Sequence, residues 1–133
     1  MIFQAVKVSD TFGSVRHLYR LKNHRNSYNF QFKIMIIYNV TVKVDLDVHE
    51  EWLDWMRSEH IPDVLATGLF TDHRICRVLQ DESDGMTYAT QYFCESMKNL
   101  QEYAARHAKR LQDDHSARYK DKYVAFRTVM EVL

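Results

Sequence analysis

The sequence predicts a small α+β domain with the element order β-α-β-β-α-β, the split βαβ or ferredoxin-like arrangement. Residues 36–44 alternate between apolar and mixed side chains, which is the period of a β-strand. Two segments, beginning near residues 48 and 96, change to the apolar period of a helix. Two more strand patterns lie between the helical segments and one follows them. These three observations give a four-stranded antiparallel sheet with two helices.

The composition bounds the class of protein. A chain of 133 residues with 46% hydrophobic and 27% charged residues has the size and composition of one globular domain. Its two cysteines, Cys76 and Cys94, form no disulfide framework and are typical of a reducing compartment. No apolar run approaches the roughly 18 residues of a membrane span, and no signal peptide opens the chain. We therefore expect a cytoplasmic protein without a membrane partner.

Charge is distributed unevenly about Met35. Residues 1–34 hold one acid and six bases, whereas residues 35–133 hold 17 acids and 12 bases. Three interpretations of residues 1–34 remain open: a leader that is not translated because the start codon lies at Met35, a disordered basic arm, or an arm that binds an acidic partner. In each case we expect a basic N-terminal extension, followed by a ferredoxin-like domain at residues 35–133.

Start and stop signals divide the first helical segment. The Ile61-Pro62 step disfavours helical conformation at Ile61, so the first helix is expected to end or kink near His60. Pro62 suits the first turn of a second short helix, which Gly68 is expected to end.

The rest of the domain is predicted in the same way. Residues 69–80 and 86–94 are expected to form strands joined by a turn in which Gly85 adopts a positive φ. Ser96 is expected to cap a single helix of about five turns. Residues 123–133 then predict the fourth strand.

One face of the predicted sheet has no helix. Right-handed crossovers put both helices on the same face, so the other is bare. We expect this bare face to carry Ile37, Ala89, Phe93, Ala125 and Val129 among the polar Asn39, Thr41, Gln91 and Arg127. A second copy of the chain is the simplest cover for such a mixed surface, which predicts a homodimer.

Several short motifs are spread over residues 35–133. They are Trp52-Leu53-Asp54-Trp55-Met56, His60-Ile61-Pro62-Asp63-Val64, Thr67-Gly68, Thr87-Tyr88-Ala89, Gln91-Tyr92, His107, His115 and Phe126-Arg127-Thr128. Together they resemble a small bacterial family catalogued as domain of unknown function number 4286. The resemblance implies the dimeric α+β barrel class and a chain that starts at Met35. It implies no activity.

Three histidines are candidates for catalysis. His107 and His115 are eight residues apart on the inner stripe of the second helix, and His60 could approach one of them. Each could act as a general acid or base in a cleft between helices and sheet. The alternative is that His107 is a core residue and His115 a partner of the helix C-terminus. No HxxxH or HExxH spacing occurs, so we expect no metal site.

Other residues are candidates for binding or orientation. Trp52, Tyr88 and Tyr103 could line a cleft for a flat apolar compound, or they could simply pack in the core. Asn39 and Arg127 could face each other and orient a carbonyl or carboxylate. The alternative for this pair is a polar contact across the dimer.

Two function classes follow. The first is a dimeric module that binds a small ligand or a partner protein; the second is a cofactor-free enzyme, oxygenase- or isomerase-like, acting on a small apolar substrate. We expect no cofactor, since no phosphate-binding or dinucleotide motif is present. We also expect no nucleic acid, because residues 84–91 lack the basic, aromatic pattern of RNA-recognition domains and the domain is acidic. Histidines that are packed and hydrogen-bonded would favour the binding module. An open cavity lined by histidines would favour the enzyme.

Overall fold

The computed structural model describes residues 34–80 and 83–133 with their side chains. Earlier in the chain it describes the backbone of three strands, β1 (Phe3–Ser9), β2 (Val15–Lys22) and β3 (Tyr28–Lys33). They pair as an antiparallel meander in the order β1-β2-β3. Our interpretations of residues 1–34 did not include strands, and the basic side chains on which they rest lie outside the described residues.

The remaining elements form the predicted domain. They are β4 (Ile36–Asp45), α1 (His49–Trp55), α2 (Ile61–Leu65), β5 (Asp72–Arg77), β6 (Gly85–Cys94), α3 (Met97–Arg106), α4 (Ala108–Arg118) and β7 (Tyr123–Glu131). The second sheet has the order β5-β6-β4-β7, with every neighbouring pair antiparallel. The predicted ferredoxin-like α+β fold is therefore confirmed. Within the described ranges, no helix is long and apolar enough to cross a membrane.

A π-helical segment, Met56–His60, joins α1 to α2. The expected break near His60 occurs as a change of helix type and not as an end of the helical chain. The expectation of a non-helical Ile61 is wrong, since its φ and ψ are −62° and −46°. Pro62 has no N–H to donate to the preceding turn, and the Ile61 N–H bonds instead to the carbonyl of Met56, five residues back. Such wide turns reorient the side chains that they carry. Gly68 ends the helical stretch with φ +76°, as expected.

The core lies between the helices and one face of the sheet. Along β4, the side chains of Ile36, Tyr38, Val42 and Val44 are buried at alternate positions, as the period of the strand predicts. Trp52 of α1 is completely buried against this face. Its replacement by alanine would cost about 3–5 kcal/mol of stability.

The phase of β7 differs from our expectation. Val40 pairs with Arg127 and Thr41 with Phe126, and paired residues point to the same face of a sheet. Arg127, like Ala125 and Val129, therefore faces the helices, and the prediction that these three lie on the bare face is wrong. Val124 and Phe126 lie there instead. Because β7 carries apolar side chains at both odd and even positions, its sequence pattern does not fix which face is buried.

The second helical segment is not the single helix that we expected. Ser96 does cap α3, where its Oγ accepts a hydrogen bond from the Asn99 backbone N–H at 3.1 Å. At His107, however, φ is −128°, and the helix divides there into α3 and α4. The prediction of an uninterrupted five-turn helix is wrong.

Gly85 is required for a reason other than a positive φ. It begins β6, and among the described residues Gly68 is the glycine with positive φ. A Cβ at Gly85 would lie 2.8 Å from Cε of Lys43 and 3.0 Å from the Val44 carbonyl oxygen. The glycine therefore permits close approach of two strands. Residues 81 and 82 of the predicted turn lie outside the described residues, and β5 is shorter than the predicted strand at 69–80.

We predict that a chain beginning at Met35 keeps this fold. The sheet of β4 to β7 completes its ladders with residues from 36 to 131 alone. The shortened protein should melt cooperatively within a few degrees of the full chain by circular dichroism. Loss of the cooperative transition would show that residues 1–34 stabilise the domain.

Candidate functional site

A small cleft separates the helices from the helix-facing side of the sheet. It is lined by Tyr38, Val40, Val42, Met56, His60, Val64, Thr90, Tyr92, Tyr103, Leu111, Gln112, His115, Tyr123, Ala125 and Arg127. We call it the central cleft. Its volume is about 50 Å³, and a buried water occupies roughly 10–15 Å³ on such a measure. The cleft therefore has room for a few waters or one small compound.

His115 is held at one wall of the central cleft by a buried hydrogen bond. The indole Nε1–H of Trp52 donates to His115 Nε2 at 2.8 Å. Since an indole nitrogen can only donate, His115 Nε2 must accept, and the proton of the neutral ring sits on Nδ1. The bond thus fixes both the tautomer and the orientation of the imidazole.

Aromatic rings surround His115 and keep it uncharged. Trp55, Tyr119 and Tyr123 have ring centroids 5.7, 5.6 and 4.4 Å from that of His115. Burial among them, with smaller contributions from His60 and Arg127, lowers the pKa of His115 to about 4. His115 is therefore neutral near pH 7.

His60 approaches His115 from the end of the π-helical segment. The two imidazole centroids are 5.8 Å apart, and the ring of Trp55 packs against His60 at 5.0 Å. Burial lowers the pKa of His60, although Asp114 and Asp63 partly oppose this. Its Nδ1 is buried and has no hydrogen-bond partner among the described residues. The Nδ1 atom of His60 is thus available for a hydrogen bond to a bound ligand or a water molecule.

Thr90 leaves a second polar atom without a partner in the central cleft. It lies on β6 in register with Val40, and its side chain is 1% exposed. Within the part of the chain that the structure describes, its Oγ1 forms no hydrogen bond. Buried hydroxyls usually bond to protein or to ordered water, so this one marks a place for a ligand or a water.

Tyrosine hydroxyls and one arginine supply the other polar groups. The side chains of Arg127 and Gln112 lie close to the Tyr38 hydroxyl and partly oppose the effect of burial on its pKa. Burial raises the pKa values of Tyr38, Tyr92 and Tyr103. All three phenols are therefore neutral and able to donate a hydrogen bond. The site can hold an electron-rich oxygen atom, and the neutral imidazole of His60 can accept a proton.

Four of the eight site residues that the sequence singled out converge on the central cleft. They are His60, His115, Tyr103 and Arg127. The expected approach of His60 to one helical histidine occurs, and it involves His115.

Two of the predicted ligand-binding residues pack beside the central cleft instead of lining it. Trp52 and Tyr88 are 0% and 2% exposed, with ring centroids 5.1 Å apart. The Tyr88 hydroxyl is 2.9 Å from His49 Nδ1. Trp52 thus affects the central cleft through its bond to His115.

His107 and Asn39 lie elsewhere. His107 stands at the junction of α3 and α4, where its ring stacks on Tyr103 at 6.4 Å. Asn39 is on the bare face and donates from Nδ2 to Thr41 Oγ1 at 3.0 Å. The expectation that Asn39 and Arg127 face each other is wrong, since β7 pairs Asn39 with Thr128 and points Arg127 to the opposite side.

Sequence reasoning missed Thr90, Gln112 and Tyr38 as site residues. The strand alternation did put Tyr38 on the buried face, and the same period on β6 puts Thr90 there too. A threonine at a fully buried strand position is a signal that could have identified this site. Among the described residues, no group of three His, Cys, Asp or Glu side chains is arranged to hold a metal ion.

The burial of His115 predicts a loss of stability in acid. The pKa is about 4 in the folded protein and 6.5 unfolded, so the unfolded state binds the proton first as pH falls. The stability that the folded protein gains from its neutral His115 is fully present above pH 6.5 and is lost as the pH falls from 6.5 to 4. Between pH 7 and pH 5, the free energy of unfolding falls by about 2 kcal/mol for this reason. In urea unfolding, His115→Gln should lose less stability than wild type over this interval. Equal losses would contradict a buried, neutral His115.

Solved structures share this fold at low sequence identity. A dimeric ferredoxin-like protein from an uncultured marine organism matches with TM-score 0.58 and 7% identity, over 76% of this chain and 96% of its own. An EthD-like protein from Ralstonia eutropha matches with TM-score 0.57 and 18% identity, over 77% and 95%. Hydroxynitrile lyase from Passiflora edulis matches with TM-score 0.51 and 13% identity, over 72% and 93%.

No curated protein matches the chain. A family model does match, over residues 35–133, and is described as a domain of unknown function, DUF4286. The match covers the sheet of β4 to β7, the helices α1 to α4 and the whole central cleft. The chain therefore belongs to the DUF4286 family.

Proposed function

We propose that residues 35–133 form a homodimeric module that binds a small molecule in the central cleft. The observation that carries the proposal is the pair of unpartnered polar atoms, His60 Nδ1 and Thr90 Oγ1, at the lining of one cavity. Leaving a buried polar atom unpaired costs about 1–3 kcal/mol. Two such atoms at one cavity are explained if a ligand, or the water that it displaces, bonds to them.

The exposed part of the sheet supports the homodimer. Val124 and Phe126 are 67% and 63% exposed on the bare face of β7, and with Val78 they line a shallow depression there. A similar fold from an uncultured marine organism is described as dimeric. A second copy would cover these side chains and also the edge of β7, which is otherwise open to pairing.

A cofactor-free enzyme is the second candidate, and the free nitrogen of His60 favours it. A neutral imidazole beside a small-molecule cavity can take up a proton from a bound compound. The plant hydroxynitrile lyase with this fold is an enzyme, although a shared fold does not fix function. The two candidates differ in one result. A module releases its ligand unchanged, as judged by mass spectrometry after incubation, and an enzyme releases a different compound.

We also propose a cytoplasmic location. Cys76 and Cys94 are both free thiols, as expected in a reducing compartment.

Thr90→Val tests the small-molecule site. Valine has nearly the shape of threonine, and it removes the unpartnered hydroxyl. The free energy of unfolding should stay unchanged or rise by up to about 2 kcal/mol. In a thermal-shift screen with metabolites, a compound that carries an uncharged hydrogen-bonding group and stabilises wild type should stabilise this variant less.

Thr67→Val is the matched control. Thr67 Oγ1 donates to the Val64 carbonyl at 2.7 Å, so this variant should lose about 0.5–1.5 kcal/mol. If Thr90→Val loses as much, the Thr90 hydroxyl has a partner within the protein and the proposal fails.

Phe126→Asp tests the dimer. An aspartate at this position would bury an unpaired charge in the interface, which should cost roughly several kcal/mol of association. Light scattering should give a dimer for wild type and a monomer for the variant. Met97→Asp, at a 45% exposed position where α3 begins, should remain dimeric. A wild-type monomer at micromolar concentration would exclude this interface.

A further inference from the structure

The floor of the central cleft is a row of three residues across the sheet. Thr90 of β6, Val40 of β4 and Arg127 of β7 are in register with one another. Neighbouring strands are about 4.8 Å apart, so the two ends of this row are separated by about 10 Å at the backbone. The row is polar at both ends and apolar in the middle.

Among the described residues, Arg127 is a cation without a matching acid. It is exposed, at the open edge of the sheet, and no carboxylate in the described ranges forms an ion pair with it. No Asp or Glu among the described residues lines the central cleft. Its neighbour there is the Tyr38 hydroxyl. A guanidinium beside a phenol O–H is a donor set for a carboxylate, which arginine binds through two parallel N–H groups.

The opposite end of the row differs in chemistry. There the unpartnered Thr90 Oγ1 can donate or accept a hydrogen bond, and His60 Nδ1 provides a second polar atom at the lining. Both atoms are buried and uncharged near neutral pH, so a charged group would be costly at this end. A hydroxyl, carbonyl or amide fits it.

We infer that the ligand of the central cleft is a small carboxylic acid with a short apolar body and a neutral hydrogen-bonding group at the far end. This inference rests on the small-molecule function proposed above. The carboxylate binds Arg127 and the Tyr38 hydroxyl at the edge of the sheet. The apolar body lies over Val40, and the neutral group bonds to Thr90 and His60.

Titrations with three probes test the inference on the full chain. The probes are 4-hydroxybutyrate, which has both end groups, butyrate, which lacks the neutral one, and the alcohol 1,4-butanediol, which lacks the charge. Followed by NMR chemical shifts, 4-hydroxybutyrate should bind most tightly. Loss of the carboxylate should weaken binding about 10- to 100-fold, as expected for hydrogen bonds to a charged group. Raising the ionic strength should weaken the binding of 4-hydroxybutyrate more than that of the alcohol.

Variants identify the end at which each group binds. Arg127→Met should weaken the binding of 4-hydroxybutyrate by a similar factor and leave that of the alcohol unaffected. Arg74→Met is the control, because Arg74 lies on the other edge strand and donates from Nε to Gln91 Oε1 on the bare face. It should leave all three affinities unchanged. Thr90→Val should weaken the binding of 4-hydroxybutyrate and not that of butyrate.

The outcomes separate this inference from the proposed function. If the alcohol binds as tightly as the acid, or if Arg127→Met has no effect, the carboxylate assignment is wrong while the small-molecule site stands. If no probe binds at millimolar concentration, the carboxylate inference is overturned. The stability of Thr90→Val then still decides the proposed function independently.

Discussion

The hydrogen bond from Trp52 Nε1 to His115 Nε2 joins two helical elements that are 63 residues apart in the chain. Both partners are buried over the sheet, so neither can exchange this bond for one to bulk water. It sets the tautomer of His115 and orients its ring towards His60, and burial at this place keeps the imidazole neutral. The side of the central cleft that His60 and His115 form depends on this contact. Without it, the indole N–H of Trp52 would be buried without a partner, at a desolvation cost.

The charge pattern of the central cleft follows from the neutral state of the side chains that line it. Neutral imidazoles and neutral phenols leave Arg127 as the charged residue among the described lining side chains. The site therefore combines a positive edge with an uncharged interior. The unpartnered atoms His60 Nδ1 and Thr90 Oγ1 lower the stability of the protein as long as no ligand or water is bound to them. Proteins commonly retain such locally unfavourable features where they bind or react with another molecule.

The fold was largely predictable from the sequence because it depends on periods of two and 3.6 residues. The break between α1 and α2 near His60 was predictable from Pro62, but the helical conformation of Ile61 was not. The phase of β7 was not predictable, since Val124 and Phe126 compete with Ala125 and Val129 for the buried face, and only pairing with β4 decides. Half of the predicted site residues reach the central cleft. The strand period puts Thr90 on the buried face, but the missing hydrogen-bond partner of its hydroxyl is visible only in the structure.

The protonation state of His115 tests this account most directly. Nitrogen-15 NMR of the imidazole rings at pH 7 distinguishes the charged ring from each neutral tautomer. The account predicts a neutral His115 with its proton on Nδ1 and with Nε2 as an acceptor, and this signal should be lost when Trp52 is replaced by phenylalanine. A charged His115, or a proton on Nε2, would contradict the hydrogen bond on which the arrangement of the central cleft depends.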